Sequence, residues 1–165
     1  MYTRPIKVTD LTGKPDLLNQ VRCVITTFWF TGLASWAKPY RVPVFMVSTR
    51  WSAETIEPLR RLQPGSKILL VFYQEDYIHN GQLFANDLRQ ALDDPGKVVV
   101  STAIREAREL RPILRSTKYD RILIGNRIWD DLDEATRGLP NVSRPIVRLN
   151  EDELEKVRIS AGVIL

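Results

Sequence analysis

Val21–Phe30, VRCVITTFWF, is the stretch from which the fold is read. It opens as an apolar run, Val21 to Ile25, whose β-branched residues suit a buried strand. Two hydroxyls follow, Thr26 and Thr27, and then three rings, Phe28, Trp29 and Phe30. In an open α/β sheet, ligands bind at the carboxyl ends of the strands. A buried strand that runs into paired threonines and aromatics has the chemistry of such an end.

The rest of the chain repeats the pattern. Residues 5–9 suit a short first strand, and Lys14–Gln20 a brief helix with Pro15 in its first turn. Thr31–Tyr40 suits a helix, Val42–Val47 a strand with Pro43 near its start or at an edge. Ser52–Leu62 carries an N-cap signature and places Ile56, Leu59 and Leu62 on one face; Pro58 inside it calls for a bend or a late start. Lys67–Tyr73, KILLVFY, is the strongest strand, followed by a helix over Asp76–Leu92. Lys97–Val100, Tyr119–Ile124 and Arg144–Leu149 complete seven strands. Helices over Ile104–Leu114, Ile128–Arg137 and Glu151–Ile159 separate or follow them, the last with Asn150 as N-cap.

Such alternation predicts an α/β fold with a largely parallel sheet, Rossmann-like or periplasmic-binding-protein-like. A chain of 165 residues with 44% hydrophobic content fits one globular domain over residues 1–165 with a core of its own. Two small lobes also fit, and Gln63–Ser66 is then the boundary. Charged residues make up 27%, which argues against disorder.

The net charge of +4 is spread along the chain, and the pair Arg60–Arg61 is not part of a longer basic run. This is a solvated surface with a mild basic excess rather than a nucleic-acid groove. No helix-turn-helix pattern is present, so the expectation is no direct nucleic-acid contact. The single cysteine, Cys23, allows no internal disulfide. No run is long and apolar enough for a membrane span, and the N-terminus lacks a signal-peptide core. The expected setting is cytoplasmic, without membrane contact.

The residues just beyond each expected strand share a character: Thr26 and Thr27, Ser48 and Thr49, Gln74 to Asp76, Ser101 and Thr102, Gly125 and Asn126, and Asn150. In a parallel sheet these ends lie at one edge, beside helix N-termini with free backbone N–H groups. Together they form a polar, mostly neutral rim suited to an anionic or polyol-like small molecule. Each of these residue types is also a preferred N-cap, so the pattern is collective and no single member identifies a ligand. The expected ligand-binding set is Thr26, Thr27, Trp29, Ser48, Thr49, Ser101, Thr102 and Asn126.

Catalytic signatures are sparse. His79 is the one histidine, no G-x-S-x-G elbow is present, and neither a Walker loop nor G-x-G-x-x-G occurs. A single histidine and a single cysteine do not make a His- or Cys-rich metal site. The expectation is a non-enzyme with no cofactor, no metal and no catalytic residues. The alternatives are a small Rossmann-like transferase or hydrolase using Asp76, and a receiver-like interaction module working through its aromatics.

Three stretches carry a resemblance: CVITTFWF; VPVFMVSTRWSAETIEPLRRLQPGSKILLVFY; and YDRILIGN with the following helix, RPIVRLN and the acidic terminal helix. Together they cover most of the chain, although no single motif is diagnostic. The chain resembles the C-terminal effector domain of GntR-type bacterial transcription regulators. The resemblance implies a sensor of a small-molecule effector, usually a homodimer, whose DNA-binding winged helix lies N-terminal to it. This sequence departs from that plan in having no winged helix, which implies either an excised domain or a stand-alone relative with another output.

Overall fold

The chain builds one unit from its two outer parts and a second from its middle. The first unit takes the segments up to Arg50 and from Arg148 onward; the second is Trp51–Val147. The structure is a computed structural model that describes residues 13–27 and 32–161, without the side chains of residues 32, 33 and 75–80. The expected strand over 5–9 lies outside the described residues.

In unit 1 a 3-10 turn over Pro15–Gln20, with proline at its first turn as expected, leads to β1, Val24–Thr26. Helix α1, Gly32–Ala37, continues into a 3-10 turn that Arg41 ends in the left-handed region at φ 56°. Strand β2, Val44–Met46, pairs in parallel with β1, placing Val24 beside Val44 and Thr26 beside Met46. Both strands are shorter than the apolar runs suggested. Val21 still belongs to the preceding turn, where its N–H bonds to the Leu18 carbonyl, and Pro43, which has no N–H, contributes only its carbonyl to Val24. Leu18 and Ala37, both fully buried, form the local core with Val24, Trp36 and Val44 around them.

Strand β3, Thr49–Trp51, follows at once, so Thr49 opens a strand instead of following one. Helix α2, Ala53–Arg60, begins at Ser52, whose hydroxyl accepts from the Thr55 N–H at 3.3 Å; Pro58 sits inside the helix without ending it. Then come β4, Lys67–Tyr73, and α3, Gln74–Leu92. The Gln63–Ser66 turn between α2 and β4 lies within unit 2, where the Gly65 N–H bonds to the Gly96 carbonyl at 2.6 Å.

Strand β5 runs from Val98 to Ile104, beyond its expected end at Val100. A 3-10 turn at Ala107–Glu109 and α4, Leu110–Leu114, replace the longer helix expected there. Strand β6 is Arg121–Ile124. The helix expected over 128–137 is two short ones, α5, Asn126–Asp130, and α6, Glu134–Arg137, because Asp133 starts a new helix by accepting from the Thr136 N–H at 2.7 Å. The last expected strand, Arg144–Leu149, begins late, as β8, Val147–Leu149, and an unexpected short strand, β7, Val142–Ser143, precedes it, with Pro145 between the two. Strand β8 pairs with β3, and α7, Glu151–Ser160, closes the described chain. The described residues thus hold eight strands where six of the seven expected ones fall, β3 and β7 being the additions.

The sheet of unit 2 has the order β5-β4-β6-β7, and every pair is parallel. Ile68, Leu70 and Phe72 face α2 and α3 through Ile56, Leu59, Ala85, Leu88 and Leu92. Leu69 and Val71 face the other way, toward Leu110 and Ile128. Both faces of β4 are covered, which is why its sequence reads as an unbroken apolar run. The α/β class with a largely parallel, Rossmann-like sheet is as the alternation indicated.

Candidate functional site

The strand ends of unit 1 converge on Ser48. Thr26 ends β1, is buried, and accepts the Val47 N–H on its carbonyl at 2.8 Å, so Thr27 lies next to the Val47–Ser48 segment. The Thr26 hydroxyl reaches only the neighbouring Thr27 carbonyl, at a long 3.4 Å. Ser48 bonds to the terminal helix. Its N–H donates to Glu153 Oε2 at 2.6 Å and its hydroxyl to Glu153 Oε1 at 2.9 Å, while its carbonyl accepts the Asn150 N–H at 2.9 Å.

Asn150 and Glu153 stand at the N-cap and third helical positions, the spacing of a capping box. In that motif the glutamate returns to the cap residue's own N–H. Here the Asn150 N–H is taken by Ser48, and Glu153 turns to Ser48 instead. The Asn150 side chain does not cap the helix. Its Nδ2 faces Ser48 Oγ at 3.2 Å and Glu153 Oε1 at 3.3 Å. The carboxylate fixes the orientation of the amide, since a flipped Asn150 would set its carbonyl oxygen against Glu153.

Three polar atoms of this neighbourhood are buried without a hydrogen-bond partner: Thr27 Oγ1, Thr49 Oγ1 and Asn150 Oδ1. Buried polar atoms are nearly always paired, so three such atoms on consecutive or bonded segments call for explanation. The Glu153 carboxyl is held below its ordinary value, first by the Ser48 backbone N–H and then by the Ser48 hydroxyl, with smaller contributions from Lys156 and Arg50. The site therefore presents an ionised carboxylate with its nearest donors already engaged, one open carbonyl oxygen and two open hydroxyls.

The other expected site residues lie elsewhere. Ser101 and Thr102 are inside β5, opposite Leu70 and Val71, and not beyond its end. They point to opposite faces, Ser101 with Val99 and Thr102 with Val100 and Ile104. Thr is β-branched and both residues are half-buried on an edge strand, so the ladder continues through them. Asn126 is the exposed first residue of α5, and its Oδ1 accepts from Arg144 Nε at 2.8 Å. Strand β4 separates β5 from β6 in the sheet, so these three residues do not form one group. Trp29 lies outside the described residues, as do the side chains of Asp76 and His79.

At the carboxyl edge of the unit 2 sheet, polar groups mostly satisfy each other. The Tyr73 hydroxyl donates to Asp131 at 2.9 Å, Arg127 lies 5.4 Å from the Tyr73 ring centre, and Arg105 donates to Gln74 at 2.8 Å. Burial pushes the Cys23 thiol up, which makes it a poorer nucleophile. Among the described residues no group of three or more His, Cys, Asp or Glu side chains is placed to hold a metal ion, and no helix is long and apolar enough to cross a membrane.

Sequence reasoning missed Glu153, which it read only as part of an acidic first turn. The N-x-x-E spacing was the available signal, but it indicates a capping box, not a bond to Ser48. Comparison with family models, with curated proteins and with solved structures gives no match.

Proposed function

We propose that the chain is a small-molecule-sensing effector domain of a GntR-type bacterial transcription regulator. The observation that carries this reading is the set of unpartnered buried atoms, Thr27 Oγ1, Thr49 Oγ1 and Asn150 Oδ1, around the Ser48–Glu153 bonds. Thr27 and Ser48 lie just beyond β1 and β2 and Thr49 opens β3, and the sequence nominates all three on chemical grounds alone. The resemblance in CVITTFWF and the stretches after it supports the same reading, together with a cytoplasmic homodimer as its form.

Leaving a buried polar group unpaired costs about 1–3 kcal/mol. A ligand that supplies the missing bonds recovers that cost. The three atoms are shielded from solvent in this arrangement. A ligand therefore reaches them only in a different arrangement, and that difference is what a sensor can transmit.

The test is a thermal-shift screen of the purified chain against metabolites, repeated on Thr27→Val and Thr49→Val. A ligand at one hundred times its Kd adds about 2.7 kcal/mol of stability. The expected result is a hit whose shift shrinks in both variants. A silent screen, or a hit that both variants bind undiminished, removes the reading.

A further inference from the structure

The two edges of the unit 2 sheet are built differently. Strand β7 is two residues long and runs into Arg144 and Pro145. Strand β5 is seven residues long, VVVSTAI, with neither charge nor proline. It pairs with β4 residue for residue, from Val98 beside Lys67 to Ile104 beside Tyr73, with no bulge. Short length, charge, proline and bulges are what keep sheet edges from joining. The β7 edge has three of these and the β5 edge has none. We infer that β5 is a dimer interface, pairing antiparallel with β5 of a second copy of this chain and joining two four-stranded sheets into one. This assigns a surface to the homodimer, and it stands on the sheet edge independently of the unit 1 site.

The backbone selects the occupant and the register. The Val98 N–H donates to the Ser66 carbonyl at 2.9 Å. Val98, Val100, Thr102 and Ile104 therefore turn their backbone groups to β4, and Val99, Ser101 and Ala103 turn theirs outward. The Val99 carbonyl is already held by Arg89, whose Nε and Nη2 donate to it at 3.2 and 2.6 Å. Among the described residues no hydrogen bond reaches the outward N–H and C=O of Ser101 and Ala103. These groups complement themselves when a second copy is turned about a two-fold axis. Ser101 then exchanges both bonds with Ala103 of the second copy, and Ala103 with its Ser101. Thr102 faces its own counterpart on the axis, in a non-hydrogen-bonded pair that favours threonine. Sliding one way sets Ala103 against the Val99 carbonyl that Arg89 holds. Sliding the other way sets Ser101 against Arg105, whose N–H already donates to Glu109 at 3.4 Å. Ser101 and Ala103 are small, and no charged side chains are opposed within the pairing. A contact of this length is of the weak, concentration-dependent class.

The experiment is sedimentation velocity of the full chain over a concentration series. The wild type is expected to dimerise as concentration rises. Ala103→Pro removes an outward donor and no bond to β4, so it should keep its circular dichroism spectrum and stay monomeric throughout. In a Cys23→Ser background, Thr102→Cys sets two thiols across the axis with Cα atoms about 4.5 Å apart, within disulfide reach. It should cross-link in oxidised glutathione, and Ser101→Cys should not. A wild type that is monomeric at every concentration overturns the inference. So does a dimer that survives in folded Ala103→Pro, or that Thr102→Cys fails to cross-link, because the interface then lies elsewhere. Should Ala103→Pro not fold, the cysteine variants decide. A monomer whose Ser101 and Ala103 amides resist hydrogen exchange has another segment on this edge, and it too overturns the inference. None of these results bears on the ligand screen, by which the sensing role stands or falls separately.

Discussion

Glu153 holds Ser48 by both of its donors, with one carboxylate oxygen on the backbone N–H at 2.6 Å and the other on the hydroxyl at 2.9 Å. The two residues are 105 positions apart. The clamp ties the end of β2 to the terminal helix, and it works only while the carboxylate is ionised.

The pH dependence follows from that. The Glu153 carboxyl lies below its ordinary 4.5 in the folded chain because Ser48 stabilises the charged form. Its contribution to stability is complete above the unfolded value and is lost as pH falls through the lower folded value. Wild-type stability should therefore drop on acidification below about pH 4.5. Glu153→Gln should be less stable at neutral pH and should show less of that acid loss. Chemical denaturation of both proteins at several pH values checks it; parallel pH profiles would sink the clamp's role.

Thr27→Val and Thr49→Val should each stabilise the unliganded chain. Each substitution removes a buried hydroxyl that has no partner and keeps the branched shape. The gain is at most about 1–3 kcal/mol per site, or roughly 2–4 °C in Tm for each kcal/mol in a chain of this size. Differential scanning calorimetry reads it directly. A lower Tm in both variants would mean that the hydroxyls are already satisfied.

Gly125 meets the end of β4 closely. A Cβ added there would lie 3.1 Å from Phe72 Cδ1 and 3.2 Å from the Val71 carbonyl oxygen. Its φ of −54° suits any residue, so the constraint is one of space. Gly125→Ala should cost about 1–3 kcal/mol through overpacking. A urea titration showing an unchanged midpoint would count against this tight approach.

Leu88 is fully buried on α3, against the face of β4 that carries Ile68, Leu70 and Phe72. Leu88→Ala should cost about 2–5 kcal/mol, the range set by how far the neighbours close the cavity. Hydrogen exchange should show the loss chiefly in the amides of β4 and β5. A uniform small change across the chain would contradict the core assignment.

The sequence announced the elements that are buried on both sides. Lys67–Tyr73 has the predicted bounds because five consecutive buried residues leave no other reading. Ser52 was legible as a cap because its hydroxyl meets a backbone N–H three residues away. The end of β5 was not, since Ser101 and Thr102 look like punctuation, and an edge strand tolerates polar residues that a central one does not. For the site, Thr26, Thr27 and Ser48 could be nominated from strand ends alone. Glu153 could not, because its partner is set by tertiary folding. Asn150 is among the strand ends and reads as an N-cap, but the expected ligand-binding set omits it; the fold turns its side chain to Ser48 instead of the helix.

The first unit is assembled from both outer parts of the chain, with Trp51–Val147 inserted between them. This imposes an order on synthesis. The β4–β5–β6 sheet can form while the polypeptide is still emerging from the ribosome, because its contacts lie within the inserted segment. Ser48 must wait for Glu153, which is translated 105 residues later, and distant contacts are the slow ones to close. The Ser48–Glu153 bonds are thus completed only after the whole inserted segment has been translated. A nascent chain stalled before Glu151–Ser160 would carry the parallel sheet of the inserted unit without the Ser48–Glu153 bonds.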